Sequence, residues 1–173
     1  MKKGYYVIFF LFLLPLICFA QKTQSFSGRV GVYVSANENI KGEIESYISR
    51  ELRSLGDIIV TDSNPRWILN IVAMELLTKG GYKSGVVLSV IILEPFDNGL
   101  VKTLLVDKTD RQMCVLLTSN LYYYPKGHWL RVGAPGDLRN LCNGIVADFD
   151  TEYLKPARNL WQKIVDSMKK KAR

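Results

Sequence analysis

The sequence predicts an α/β domain: a mixed, mostly antiparallel sheet of about five to six strands that opens with a βαβ unit and is covered by helices, including a C-terminal helical pair. Three observations carry that expectation. Val30, Val32 and Val34 alternate with other residues at the period of a strand. Ile40, Ile44, Ile48, Leu52 and Leu55 then recur every three or four residues, the period of one helical stripe. A block of apolar runs follows, before helical spacing returns after Asp137.

The first strand covers 29–34 and belongs at or near the centre of the sheet. A polar turn from Ser35 to Asn39 leads into the first helix, whose Lys41, Glu45, Arg50 and Arg53 face water and whose end is set by Gly56 as a left-handed cap. Asp57-Ile58-Ile59-Val60-Thr61 is a second strand, and a strand–helix–strand unit this short implies a right-handed crossover to a parallel neighbour. A long strand over 66–78 turns through Lys79-Gly80-Gly81-Tyr82-Lys83 into another over 84–93, forming a hairpin. Asp97-Asn98-Gly99 marks a tight turn into a shorter strand over about 100–107. A further strand is expected from about 112 to 123, ended by Pro125-Lys126-Gly127. Asp137 caps the next helix, which places Leu138, Leu141, Ile145, Val146, Phe149 and Tyr153 on one side. Pro156 interrupts it, and a last helix buries Leu160, Trp161, Ile164, Val165 and Met168.

The N-terminus carries a different pattern. Lys2 and Lys3 precede an apolar run from Tyr5 to Ile17, and Cys18-Phe19-Ala20 stand before polar Gln21. Charge, apolar core and small residues before a cut describe a secretory signal peptide over 1–20, removed near Ala20, with 21–173 as one domain in the periplasm or outside the cell. The run is short for a permanent anchor, which needs about 20 apolar residues. Lipidation at Cys18 would need a small residue before it, where Ile17 stands. Of the formal charge of +7, six positive charges sit at Lys2, Lys3, Lys169, Lys170, Lys171 and Arg173, leaving the body near +1. Such a body offers no broad field for nucleic acid. The tail, Lys169, Lys170, Lys171 and Arg173, is suited to weak contact with an anionic surface. The same lysines also complement the dipole of a helix end.

Cys114 and Cys142 remain after processing, and an oxidising compartment permits a disulfide between them worth about 3 kcal/mol. Both also sit in apolar stretches, where a cysteine serves as a small buried hydrophobe.

The strand 30–34, the helix 40–55, the loop Asp62-Ser63-Asn64-Pro65-Arg66 and the run Trp67-Ile68-Leu69-Asn70-Ile71 resemble exported bacterial envelope α/β domains of the TolB N-terminal and curli-secretion CsgG type. The resemblance covers roughly 29–93. It implies a non-catalytic role, binding partner proteins in the periplasm or helping to assemble envelope machinery, and it assigns no functional residue.

Catalytic patterns are sparse. One histidine, His128, excludes sites that need two imidazoles, and no Gly-x-Ser-x-Gly elbow presents a serine to it. Asp148 and Asp150 diverge on a helix and form no close dyad there; the rival reading is a hydrolase acting on peptide or glycan through either acid with His128. No cofactor or metal motif is present, and Gly80-Gly81 opens no helix that would cradle a phosphate. The aromatic segment stands out more: Tyr122, Tyr124, His128, Trp129 and Arg131 form the candidate binding surface, tyrosine and tryptophan being rigid interface residues. The expectation is an exported binding or assembly component of the cell envelope without cofactor. A small-ligand binding module is a third reading and needs a concave pocket.

Overall fold

The structure is a computed structural model, and it describes residues 25–95, 104–118, 121–123 and 128–171. The signal segment 1–20, Tyr124 and Arg173 lie outside the described residues, as do the side chains of Tyr122 and Tyr123. The elements are β1 (Gly28–Ser35), α1 (Glu38–Ser54), β2 (Ile58–Val60), β3 (Trp67–Leu77), β4 (Lys83–Pro95), α2 (Lys108–Thr118), β5 (Tyr122–Tyr123), β6 (Trp129–Gly133), α3 (Leu138–Phe149) and α4 (Lys155–Lys171). A six-stranded mixed sheet runs β2-β1-β3-β4, with β5 and β6 both paired to the far edge of β4. β1 is parallel to β2 and to β3, and all other pairings are antiparallel.

The βαβ opening forms as its periodicity dictates. Ile40, Ile44, Ile48 and Leu52 bury one stripe of α1 against Val30, Ile58, Leu69 and Ile71. Gly56, at φ +78°, reverses the chain into β2, a conformation that costs glycine nothing. The β3–β4 hairpin pairs Ile68 with Leu93 through to Leu77 with Lys83, so the predicted turn sits at its tip. Further along β4, a side chain at Gly85 would come within 2.9 Å of the Gly133 carbonyl, which fixes how closely β6 approaches.

Helices α1 and α3 lie on one side of this sheet. Leu138, Cys142, Ile145, Val146 and Phe149 complete the buried cluster there, and a file of rings continues it. Trp67 meets Phe149 edge-on at 6.1 Å, Phe149 stacks on Tyr153 at 5.4 Å, and Tyr153 meets Trp129 at 6.2 Å. The indole N–H of Trp67 donates to Glu94 Oε1 at 2.6 Å, which satisfies a buried donor at the edge of the core.

Several expectations change. The segment expected as a strand over about 112–123 is helix α2 as far as Thr118, with, of the described residues, Tyr122–Tyr123 alone in a strand, and 104–107 is not strand either. The Asp107 carboxylate accepts bonds from the Thr109 and Asp110 amides at 2.6 and 3.2 Å, and its carbonyl accepts from the Arg111 amide, so Asp107 caps a helix that the apolar residues alone did not announce. Asp137 stands at the cap position of α3, but its side chain makes no capping bond. Pro156 does not break the chain. A π-helical turn over Asp150–Leu154 carries α3 into α4, and this wider turn accommodates the missing proline N–H and the crowding of its ring. The stripe of α4 is not fully buried either: Leu160, Ile164 and Met168 are exposed, and Trp161 and Val165 are half-buried.

Candidate binding surface

Strand alternation sends every second residue of this sheet away from the helices. From Val72 onward the side chains of β3 that point that way are exposed, and so are those of β6. On this side β3 places Val72, Met74 and Leu76, β6 places Leu130 and Val132, and β4 between them places half-buried Val87. Register brings them together: Met74 is opposite Val87, Val87 opposite Val132, and Ser89 lies between Val72 and Leu130. Met74, Leu130 and Val132 are 60%, 57% and 59% exposed. An antiparallel sheet with one wet face normally turns polar residues outward, whereas this one turns out a contiguous apolar patch. Tyr33 and Ile59 extend exposed apolar surface towards the β2 edge.

The aromatic segment of the sequence divides across the sheet. Trp129 is half-buried and packs on the core, while Arg131 forms an ion pair with Asp148 of α3, so both serve the helix-covered side. His128 is exposed at the start of β6. Tyr122 pairs with Pro95 through its backbone in β5. The structure therefore does not gather Trp129 and Arg131 on an open aromatic face. Their strand neighbours Leu130 and Val132 are the residues that face out.

The charged groups considered for chemistry are engaged separately. Asp148 is held by Arg131, and Asp150 accepts from Arg158 Nη1 at 2.5 Å. Arg158 also grips Asp57 through Nε and Nη2 at 2.5 and 2.8 Å, tying the root of α4 to the residue before β2. That fork holds the Asp57 carboxyl below its usual range and raises Arg158 further above its own. Among the described residues no group of three or more histidines, cysteines or acids is placed to hold a metal. Cys142 is buried and its thiol is pushed up to about 12 by desolvation, Cys114 is half-buried on α2, and both thiols are free.

Two hollows remain. One of about 520 Å³ lies beside α4, between Phe26, Asp57, Arg158, Trp161 and Val165, and its Asp57 and Arg158 are already bonded to each other. The other, about 190 Å³, lies near Ile40 and Leu138 and contains the Lys83–Glu75 ion pair.

Neither a protein-family model nor a curated protein matches the sequence. Among solved structures, the chain is similar to the PelC dodecamer from Paraburkholderia phytofirmans at 12% identity, over 72% of this chain and 86% of that one, with a TM-score of 0.38. It is also similar to an uncharacterized lipoprotein B from Nitrosomonas europaea, at 15% identity over 85% of each chain, with a TM-score of 0.26. The rare lipoprotein B from Shewanella oneidensis matches at 11% identity over 83% of this chain and 99% of that one, with a TM-score of 0.24. At scores this low the likeness carries no function from those proteins to this one.

Proposed function

We propose that the chain is an exported, non-catalytic binding or assembly component of the bacterial envelope, and that it docks a protein partner through the uncovered face of its sheet. The observation that carries this reading is the apolar patch of Val72, Met74, Leu76, Leu130 and Val132 on a face that no described helix covers. Leaving such side chains in water forgoes about 25 cal/mol for each Å² that a partner would remove from solvent. The signal-like pattern over 1–20 supports export, and the resemblance of 29–93 to TolB and CsgG envelope domains supports assembly over catalysis.

The test is capture from the native envelope with the chain starting at Gln21, which keeps every described residue. Met74→Thr, Leu130→Thr and Val132→Thr together remove the apolar patch while keeping strand-forming residues on an already exposed face. A partner retained by the native chain and lost by the folded triple variant is the expected result. Equal capture by both forms would remove the face from the account.

A further inference from the structure

The other uncovered surface is α4. Leu160, Ile164 and Met168 recur at intervals of four and are 56%, 43% and 56% exposed, forming a straight apolar ridge with no layer over it. Trp161 and Val165 form the adjacent ridge, half-buried along the hollow beside Phe26. The opposite flank is basic: Lys163 stands three positions after Leu160, and Lys170 seven further on, followed by Lys171. Over its 17 residues α4 carries five lysines and a single acid, Asp166, which accepts a 2.8 Å bond from Gln162 on the side away from the ridge. Arg158, locked to Asp57 and Asp150, fixes the first turn to the domain and leaves the later turns to project.

An apolar ridge bordered by lysines fits a surface that is greasy below and negative above. A protein groove would supply the first property without requiring the second, and the lysine excess selects between them. The helix is about 25 Å long and too charged to cross a bilayer, so it would lie in the plane of the interface. We propose that α4 docks this protein on the surface of an anionic phospholipid bilayer, with Leu160, Ile164 and Met168 entering the headgroup boundary and Lys163, Lys169, Lys170 and Lys171 among the lipid phosphates. This surface is separate from the sheet face, so either can fail without the other.

Co-sedimentation of the chain starting at Gln21 with lipid vesicles tests it. The probes are vesicles of phosphatidylglycerol mixed with phosphatidylcholine, and of phosphatidylcholine alone. Each cation near such a surface is worth about fivefold in partitioning, so replacing Lys169, Lys170 and Lys171 by serine should weaken binding to the anionic vesicles by roughly a hundredfold. Leu160→Ser, Ile164→Ser and Met168→Ser together should abolish it, and raised salt should weaken the native chain more than the variant that keeps only Lys163 of the four. None of these residues is in the core, so an unchanged melting temperature shows that both variants remain folded. Equal binding to both vesicle types, no binding to either, or binding indifferent to both variants overturns the proposal. Variants that keep the vesicles but lose a captured protein would assign α4 to a protein groove instead.

Discussion

Arg158 bonds to Asp57, 101 positions away, and its removal has a calculable cost. Arg158→Ala leaves Asp57 and Asp150 without the three charged hydrogen bonds they now accept, made at 2.5 to 2.8 Å. The three side chains are 27%, 26% and 17% exposed, so they are neither dry nor freely solvated. Breaking a fully buried ion pair costs about 3–5 kcal/mol, and exposed pairs are worth about 1 kcal/mol or less. A quarter of the surface in water places the loss near the middle, about 2 kcal/mol. For a chain of this size that is a fall of roughly 6 °C in melting temperature. The sign with pH follows from Asp57, whose folded pKa is depressed below 3.8 chiefly by its bond to Arg158. Its stabilisation is complete above the unfolded value and is lost as pH falls through the folded one. Urea unfolding of the native and Arg158→Ala chains should therefore differ by about 2 kcal/mol at neutral pH, with the gap closing below about pH 4. A difference under about 0.5 kcal/mol at neutral pH, or a gap that widens on acidification, would refute the clamp.

Other expectations follow from the core, the caps and the thiols. Phe149→Ala opens the centre of the ring file and should cost about 3–5 kcal/mol in urea unfolding, far more than any change on the sheet face. Asp107→Ala should speed hydrogen exchange at the Thr109 and Asp110 amides without moving the global melting temperature, since α2 buries nothing. Its capping bonds also hold the Asp107 carboxyl below the usual range, so the same amides should loosen in the native chain when Asp107 is protonated. With its thiol near 12 and buried, Cys142 should resist alkylation at neutral pH until the protein unfolds, while Cys114 reacts first. Thiols that react only after a reductant is added would instead show the two cysteines bridged.

Sequence periodicity located the βαβ unit, the hairpin and both faces of α1, because each stripe there is unbroken and bounded by Gly56 or the Gly80-Gly81 turn. It missed α2 because Met113-Cys114-Val115-Leu116-Leu117 is an apolar run without alternation, and such a run fits a buried strand as well as a helix. The deciding signal was local: Asp107 followed three residues later by Asp110 is a helix start. The uncovered sheet face was legible in part. Ile68-Leu69-Asn70-Ile71-Val72-Ala73-Met74 and Val86-Val87-Leu88 are apolar at both parities, as expected of strands covered on both sides. What the sequence could not show is that the helices would cover only one of them. For α4 the reverse holds: its stripe reads as core from spacing alone, and only the three-dimensional placement of α1 and α3 leaves it bare.

Site-specific photocrosslinking in the native envelope decides whether a partner sits on the uncovered sheet face. A photoreactive residue at Met74 or Val132, on that face, and one at Ser46, exposed on α1, probe the two sides of the molecule. One and the same protein adduct is expected from Met74 and Val132 and none from Ser46. An adduct from Ser46 with none from the sheet face would place the partner on the helices and contradict docking at that face.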